Sequence, residues 1–238
     1  MNKFTGLKAP LGLTLIALTL HGCGMSSSDS ATTPAEKTYE ITLTNMTANQ
    51  PISPVAVVLH TSGYQGWSTG LAASAGLEKL AEAGDNTTFL SEADASADVL
   101  KTASATGALA PGGSETVITT LADSGSLLIS AAGMLVNTND AFAGVDGLSL
   151  NGMTVGASMQ IGVAAYDAGT EANTETAVTI PGPAGGGTGF DVNRDDGQNF
   201  VTVHRGVVTS SDGLTTSALD QSHRFDNPVM KISVKRTN

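Results

Sequence analysis

The feature that most constrains the fold is a clean alternation of apolar and polar residues at positions 39–45, YEITLTN. The apolar positions are Tyr39, Ile41 and Leu43, and the polar positions between them are Glu40, Thr42 and Thr44. A period of two residues is that of a β-strand with one buried face. The segment therefore predicts a strand at the wall of a hydrophobic core.

Seven further segments are short, apolar and separated by Gly, Asn, Asp or Pro, which is typical of strands joined by turns. They are residues 55–59, 114–121, 126–136, 158–166, 176–180, 199–208 and 228–235. About 200 residues remain after the N-terminal region, which is enough for one sizeable domain. The pattern predicts an all-β fold, an antiparallel β-sandwich.

One region between the second and third predicted strands has helical spacing instead. Leu77, Leu80 and Ala81 in residues 69–85 fall on one helix face, and Gly84 is a suitable C-terminal stop. Residues 91–100, SEADASADVL, predict a second short helix with Ser91 as its N-cap. We expect both helices to form a short insertion lying across the sandwich.

The N-terminus has the pattern of an export signal that ends at the chain's single cysteine. Residues 1–8 are basic, residues 9–20 are apolar but too short to span a bilayer, and LHGC ends at Cys23. We expect a signal peptide at 1–22, lipidation of Cys23, a flexible tether through residue 38 and one domain at 39–238. The alternative is a plain signal peptide with a chance cysteine. A single cysteine excludes an internal disulfide.

The charge balance restricts the class of partner. Removal of Lys3 and Lys8 with the signal would lower the formal net charge from -11 to -13. Nucleic-acid binding needs basic patches, so nucleic acid is not an expected partner. An acidic chain suits a soluble surface domain or a protein that binds cations.

Two acidic segments follow two of the predicted strands and could bind a hard cation. Asn139, Asp140 and Asp146 lie in residues 134–150, and Asp167 and Glu171 lie in residues 163–175. Ca²⁺ takes six to eight oxygens from carboxylates, amides and backbone carbonyls. The EF-hand spacing is absent, and acidic residues are also common in ordinary turns, so residue chemistry alone leaves both interpretations open.

The histidines offer a rival hypothesis. His60, His204 and His223 are far apart in the sequence, and they could meet in a zinc site or each fill a structural role, which is the commoner case. No Gly-x-Ser-x-Gly motif is present, the Gly-rich segment after Ile180 lacks the features of a phosphate loop, and aromatic residues are few. Trp67 is either a core anchor, which is favoured, or an exposed binding residue.

Several segments, taken in order, resemble the spondin N-terminal domain of the F-spondin or mindin type, in its bacterial branch. They include the residues 39–89 segment with its AEAGD sequence, GMLVNTNDAFAGVDGLSL, YDAGTEANTE, VHRGV and HRFDNPVMKISVKR. The resemblance implies a C2-like, immunoglobulin-related sandwich that binds calcium and serves adhesion. It implies calcium ligands at Asp140, Asp167 and Glu171, with Asn139 and Asp146 as secondary candidates, and leaves Glu175 as a solvated charge.

The sequence thus predicts a cell-surface, calcium-binding adhesion module of a secreted bacterial lipoprotein and not an enzyme. The expected location is the bacterial envelope, at the outer membrane or cell surface. The expected partners are the membrane, through the lipid at Cys23, and an unknown extracellular protein or glycan. The alternatives are a structural envelope protein without a specific ligand and a metal-dependent hydrolase using His60, His204 or His223.

Overall fold

A computed structural model describes residues 35–238, so the expected signal peptide, Cys23 and most of the tether lie outside the described residues. The strands are β1 (Glu36–Asn45), β2 (Ala56–His60), β3 (Val99–Ser104), β4 (Ser114–Ala122), β5 (Leu128–Met134), β6 (Ala141–Ser149), β7 (Ser158–Asp167), β8 (Thr202–Val203) and β9 (Met230–Arg236). The helices are α1 (Ala75–Ala83) and α2 (Thr87–Asp94), with 3₁₀ turns at Ser210–Asp212 and Gln221–His223. Within this part of the chain, the helices are all too short or too polar to cross a membrane.

The strands form one antiparallel sheet in the order β3-β2-β5-β6-β7-β9-β1-β4, with the short β8 also paired to β7. The sheet curls until its two edge strands approach each other. At that seam the backbone and hydroxyl of Thr106, which follows β3, donate to Glu115 Oε1 on β4 at 2.6 and 2.9 Å. The prediction of an all-β sandwich is confirmed, and the sandwich is nearly closed.

The interior explains the alternation in β1. Tyr39, Ile41 and Leu43 are at most 1% exposed and join residues from the other strands in a single apolar core. The strand begins at Glu36, three residues before the predicted domain start. Burying an apolar side chain of this size stabilises a fold by about 1.5–3 kcal/mol, so β1 contributes strongly to holding the sandwich together.

A second apolar cluster lies between the helices and the outer face of β2, β5 and β6. Trp67 is 8% exposed and packs edge-on against Phe142 and Tyr166, with ring centroids 5.1 and 5.7 Å away. Its interpretation as a core anchor is confirmed. The pair of helices forms the expected insertion across one face.

The two helices differ in how well their ends follow the sequence signals. Ser74 Oγ accepts the Leu77 N–H at the start of α1, and Gly84, at φ 70°, donates its N–H to Leu80 O. The stop at Gly84 is confirmed. The prediction of a helix over residues 91–100 with Ser91 as N-cap is wrong, because α2 runs from Thr87 to Asp94 after Asn86, and Val99 and Leu100 belong to β3. The Asn86 amide instead donates to Pro54 O and Ser104 Oγ, which ties the connection between the helices to the sheet.

Two strand predictions and one loop prediction also differ from the structure. Residues 176–180 form a turn, in which the Thr179 and Ile180 N–H groups donate to Thr176 O, and only Thr202–Val203 of residues 199–208 is a strand. Residues 141–149, predicted as part of an acidic loop, form β6 in the middle of the sheet. Its small residues have a packing reason, since a Cβ at Gly144 would lie 2.8 Å from the Trp67 ring.

Candidate metal centre

The ends of two neighbouring strands bring Asp140 and Asp167 together. Ala141 on β6 pairs with Asp167 on β7, and the Ala168 N–H donates to Asp140 O at 3.1 Å. Asp140, which immediately precedes β6, therefore lies beside Asp167, the last residue of β7. The sequence-based expectation that the two acidic segments meet at one end of the sandwich matches this placement.

Asp140 is fully buried, and its two carboxylate oxygens have different environments. Oδ2 accepts the backbone N–H groups of Thr170 and Glu171 at 2.8 and 3.1 Å. Oδ1 is buried and has no hydrogen-bond partner among the described residues. Burial, and then the neighbouring charge of Asp167, raise the pKa of Asp140 to about 7. A buried carboxylate with one unpaired oxygen beside a second carboxylate is costly unless a cation or a proton compensates it.

Asp167 holds its own loop in place. Its Oδ1 accepts the Gly169 N–H at 2.8 Å, and its Oδ2 accepts Nδ2 of Asn173 at 2.7 Å. The side chain is 7% exposed and lines a cavity of about 270 Å³. Asp167 thus reaches this cavity, whereas Asp140 does not line it.

Glu171 lies in the same cluster but is already paired. Its Oε1 accepts two bonds from the Arg194 guanidinium, from Nε at 2.7 Å and from Nη2 at a shorter distance. Its Oε2 accepts Nδ2 of Asn139 at 3.1 Å. Burial raises the pKa of Glu171, and the bonds from Arg194 and Asn139 oppose that shift. Glu171 could serve a metal through Oε1 only by leaving Arg194.

The two secondary candidates have structural roles in this arrangement. Besides its bond to Glu171, Asn139 accepts the Glu175 N–H on Oδ1 at 3.0 Å, so both ends of its amide are in use. Asp146 lies six residues further along β6 than Asp140, about 20 Å away for an extended strand. The Asp146 carboxylate accepts the Gly66 N–H and the Ser130 hydroxyl. The structure therefore does not bring Asp146 to the cluster.

Two residues of the cluster were missed from the sequence. Glu82 on α1 is 2% exposed, its Oε2 has no partner within residues 35–238, and burial raises its pKa to about 8. Arg194 carries a signal that was available, since it is the one Lys or Arg between Val163 and His204.

The expectation that Glu175 is a solvated charge is wrong. The side chain is 3% exposed, both carboxylate oxygens accept the Val208 N–H at 2.8 Å, and Ser217 Oγ lies at 3.4 Å. Burial raises the pKa of Glu175 to about 7, against the opposing bond from Val208. Glu175 fastens the 207–218 segment to the loop that follows β7, and its backbone carbonyl accepts the Ala218 N–H in the same place.

The histidines are engaged separately. His60 bonds Thr61 O and Ser130 Oγ, at 2.7 and 2.8 Å, and His223 bonds Asp220 and Asn49. His204 accepts the Gly206 N–H on Nδ1, so the neutral ring carries its proton on Nε2 and has no lone pair there for a metal. These bonds favour the structural interpretation of the three histidines over a shared zinc.

The buried Ser130 lies between His60 and Asp146, which is not the order that activates a serine. Its Oγ bonds His60 Nε2 at 2.8 Å and donates to Asp146 Oδ1 at 2.7 Å. In a nucleophilic triad the histidine stands between the serine and the acid, and the serine faces the substrate. Here both Ser130 and His60 are fully buried, so the trio is a structural network.

What the cluster offers a metal is a pair of carboxylates rather than a finished cage. Within residues 35–238, no group of three His, Cys, Asp or Glu side chains is arranged to hold a metal ion. Asp140 Oδ1 and the Asp167 carboxylate fit a hard cation by their chemistry, because both are oxygen donors in a buried, negatively charged site. Backbone carbonyls, water and a released Glu171 would have to supply the remaining oxygens.

A comparison with models of known protein families matches this chain to one family. The Spondin_N family model matches residues 47–181, a range that contains Asp140, Asp167 and Glu171 but not Arg194 or His204. No curated protein matches the chain. Spondin N-terminal domains are extracellular binding or adhesion modules, and the family is not a known enzyme family. Since the match covers more than half of the 238 residues, the chain belongs to the spondin N-terminal domain family.

Proposed function

We propose that this chain is a calcium-stabilised binding or adhesion module, displayed outside the cell by a lipid anchor at Cys23. The observation that carries the proposal is Asp140, a fully buried carboxylate with an unpaired oxygen beside a second carboxylate. Asp140 and Asp167 would hold the cation from the ends of β6 and β7. Glu171 would be a third ligand if Arg194 releases it.

Bound calcium would supply positive charge where this end of the sandwich lacks it. Asp140 and Asp167 are both buried acids at this position, and the nearby guanidinium of Arg194 is paired with a third buried acid, Glu171. Like charges in a site of low dielectric repel strongly. A divalent cation removes that repulsion, and its binding energy then adds to the free energy of unfolding.

The chain's own bonds would pass this stabilisation on to the loop that follows β7. Asp140 Oδ2 receives the N–H groups of Thr170 and Glu171, so an ionised and correctly oriented Asp140 also fixes that loop. The loop lines the cavity beside Asp167 and is the natural contact surface at this end of the sandwich. The partner would be an extracellular protein or glycan.

The proposal is tested by thermal unfolding of the purified protein in Ca²⁺ and in EGTA. At a calcium concentration of 100 times Kd, we expect about 2.7 kcal/mol of stabilisation. That gain corresponds to a rise in Tm of roughly 5–10 °C for a domain of this size. Asp167→Ala should lose most of this response.

A matched control is Asp146→Asn, which changes an aspartate on the same sheet, outside the cluster, and keeps an oxygen for the Gly66 and Ser130 bonds. Asp146→Asn should retain the calcium response of the wild type. If Ca²⁺ leaves the wild-type Tm unchanged, the calcium claim fails. The protein would then be interpreted as a structural envelope protein whose buried acids are neutralised by protons.

A further inference from the structure

Arg194 occupies a particular place in the acidic cluster. It is the sole Lys or Arg in a stretch of 40 residues between Val163 and His204, and its guanidinium binds the buried carboxylate of Glu171. The Glu171 side chain is completely buried, whereas Arg194 is 18% exposed. A paired charge in such a site is much more strongly held than a surface ion pair, because leaving Glu171 unpaired would cost its desolvation.

The same guanidinium also fixes the Gly-rich segment that follows Ile180. Arg194 Nη2 donates to the backbone carbonyls of Thr188 and Gly189, at 3.1 and 2.7 Å. Gly189 in turn lies against α1, where a Cβ at that position would be 3.1 Å from Ala83. One side chain thus joins Glu171 to a segment of residues 186–194 that we name the Arg194 loop.

A metal ion and Arg194 would compete for Glu171. Glu171 Oε1 accepts two bonds from Arg194, and Oε2 accepts one from Asn139. A cation bound to Glu171 beside Asp140 would bring a second positive charge against the guanidinium in a buried site, where like charges repel strongly. We propose that Arg194 is a built-in competitor of the metal: it sets the calcium affinity of the site and makes calcium binding release the Arg194 loop.

This inference rests on the proposed function and adds its regulation. Competition implies a reciprocal coupling, in which whatever weakens the Arg194–Glu171 pair strengthens calcium binding, and calcium weakens the hold on the loop. The expected effect of calcium on loop mobility is opposite to the usual one, since most bound metals make the surrounding loops less mobile. That contrast makes the inference easy to test.

The test compares Arg194→Gln with Arg205→Gln by calcium titration calorimetry. Arg205 lines the cavity beside Asp167 and Glu171, is exposed and forms no ion pair within residues 35–238, so its removal changes the charge of the cavity without freeing Glu171. We expect Arg194→Gln to bind calcium about tenfold more tightly than wild type, equivalent to 1.4 kcal/mol. Arg205→Gln should change the affinity by less than about threefold, because exposed charges are screened.

Hydrogen exchange gives a second readout that does not depend on affinity. In the wild type, the amides of the Arg194 loop should exchange faster in Ca²⁺ than in EGTA. The Gly187 N–H, which donates to Ile180 O at 2.8 Å, is one of them. In Arg194→Gln these amides should exchange fast under both conditions, while the amides of β1 stay protected throughout.

The outcomes separate this inference from the proposed function. If the wild type binds calcium but Arg194→Gln binds it no more tightly than Arg205→Gln does, the competition is wrong and the calcium module stands. If the wild type binds no calcium but Arg194→Gln does, the competition is right and Arg194 keeps the site closed to metal. If neither binds calcium, both proposals are wrong.

Discussion

At the scale of single residues, the account depends on buried carboxylates that the fold leaves incompletely paired. A buried acid can be accommodated by a proton, by an arginine or by a metal. Glu171 has its arginine and Glu82, with a pKa near 8, holds a proton at neutral pH. Asp140, whose pKa is about 7, stands between these cases and can take either a proton or a cation.

Replacement of Asp140 by asparagine should have opposite effects with and without calcium. The Asp140→Asn side chain keeps an oxygen for the Thr170 and Glu171 N–H groups but removes the charge facing Asp167. In EGTA at pH 8 we expect Asp140→Asn to be about 1–2 kcal/mol more stable than wild type. In saturating calcium the order should reverse, because only the wild type keeps the cation.

The pH dependence of this difference follows from the raised pKa of Asp140. The neutral carboxyl of Asp140 stabilises the fold fully at pH values below its pKa in the unfolded chain, near 4. This stabilisation is lost as pH rises through about 7, its pKa in the folded state. In EGTA, Asp140→Asn and wild type should therefore be similar at pH 4 and diverge toward pH 8. Urea unfolding at several pH values checks this, and a constant difference would contradict it.

Glu175 supplies an independent pH prediction outside the proposed metal ligands. Its pKa is raised to about 7, so its stabilising neutral form is lost as pH rises from about 4.5 through 7. Glu175→Gln cannot ionise. Its free energy of unfolding should rise relative to that of the wild type by about 1–2 kcal/mol between pH 5 and pH 8, at 1.36 kcal/mol per pKa unit with an allowance for partial solvation. Chemical denaturation at the two pH values measures the change. An unchanged difference would place Glu175 in solvent.

At the scale of elements, α1 ends where the chain must turn back toward the sheet. Gly84 has φ 70°, and a Cβ there would lie 2.7 Å from Cβ of Ser53, whose hydroxyl accepts the Met134 N–H. Gly84→Ala should therefore cost about 1–2 kcal/mol for the left-handed conformation and a further 1–3 kcal/mol for the clash. The expected loss in Tm is roughly 4–20 °C, at about 2–4 °C per kcal/mol.

Gly70 is the matched control for this prediction. It has φ 83°, and an added Cβ would meet nothing within 4 Å. Gly70→Ala should show the conformational cost alone, about 1–2 kcal/mol. Equal losses for the two variants would mean that the contact between Gly84 and Ser53 contributes nothing to holding α1 against the sheet.

The elements that could be predicted from the sequence are those in which local pattern and tertiary packing agree. β1 and β4 alternate because one face of each is buried, and α1 has its apolar spacing, cap and glycine stop in sequence. β6 looked like a loop because its small residues accommodate Trp67, a partner 77 residues away from Gly144. Residues 176–180 looked like a strand from their composition, but only Ile180 is buried, in a separate small cluster with Val207 and Leu219, while Val178 is 73% exposed.

The candidate site was predictable only in part for the same reason. Asp140 and Asp167 could be predicted as candidates because each lies next to a strand end. They meet in the structure because β6 pairs with β7. The pairing of Glu171 with Arg194 and the burial of Glu82 and Glu175 depend on how long irregular segments fold back. No local period encodes those contacts, although the isolated Arg194 in an acidic stretch was a usable signal.

At the scale of the whole molecule, the chain is a strongly acidic sandwich with its proposed metal centre at one end. The proposed anchor gives a prediction that does not depend on calcium. Acyl chains bind membranes with roughly 0.8 kcal/mol per buried methylene, so two or more chains hold a protein firmly. The wild-type protein should fractionate with membranes and incorporate labelled fatty acid, and Cys23→Ser should do neither. Equal labelling of both proteins would contradict lipidation at Cys23.

The central claim is that Asp140 and Asp167 hold a calcium ion, and the most direct test is a crystal structure of the protein grown in calcium. We predict an ordered ion bonded to Asp140 Oδ1 and to the Asp167 carboxylate at the usual calcium–oxygen distance of about 2.3–2.6 Å. We also expect Glu171 to have turned from Arg194 toward that ion. A structure at saturating calcium with no ion at these two carboxylates would contradict this claim.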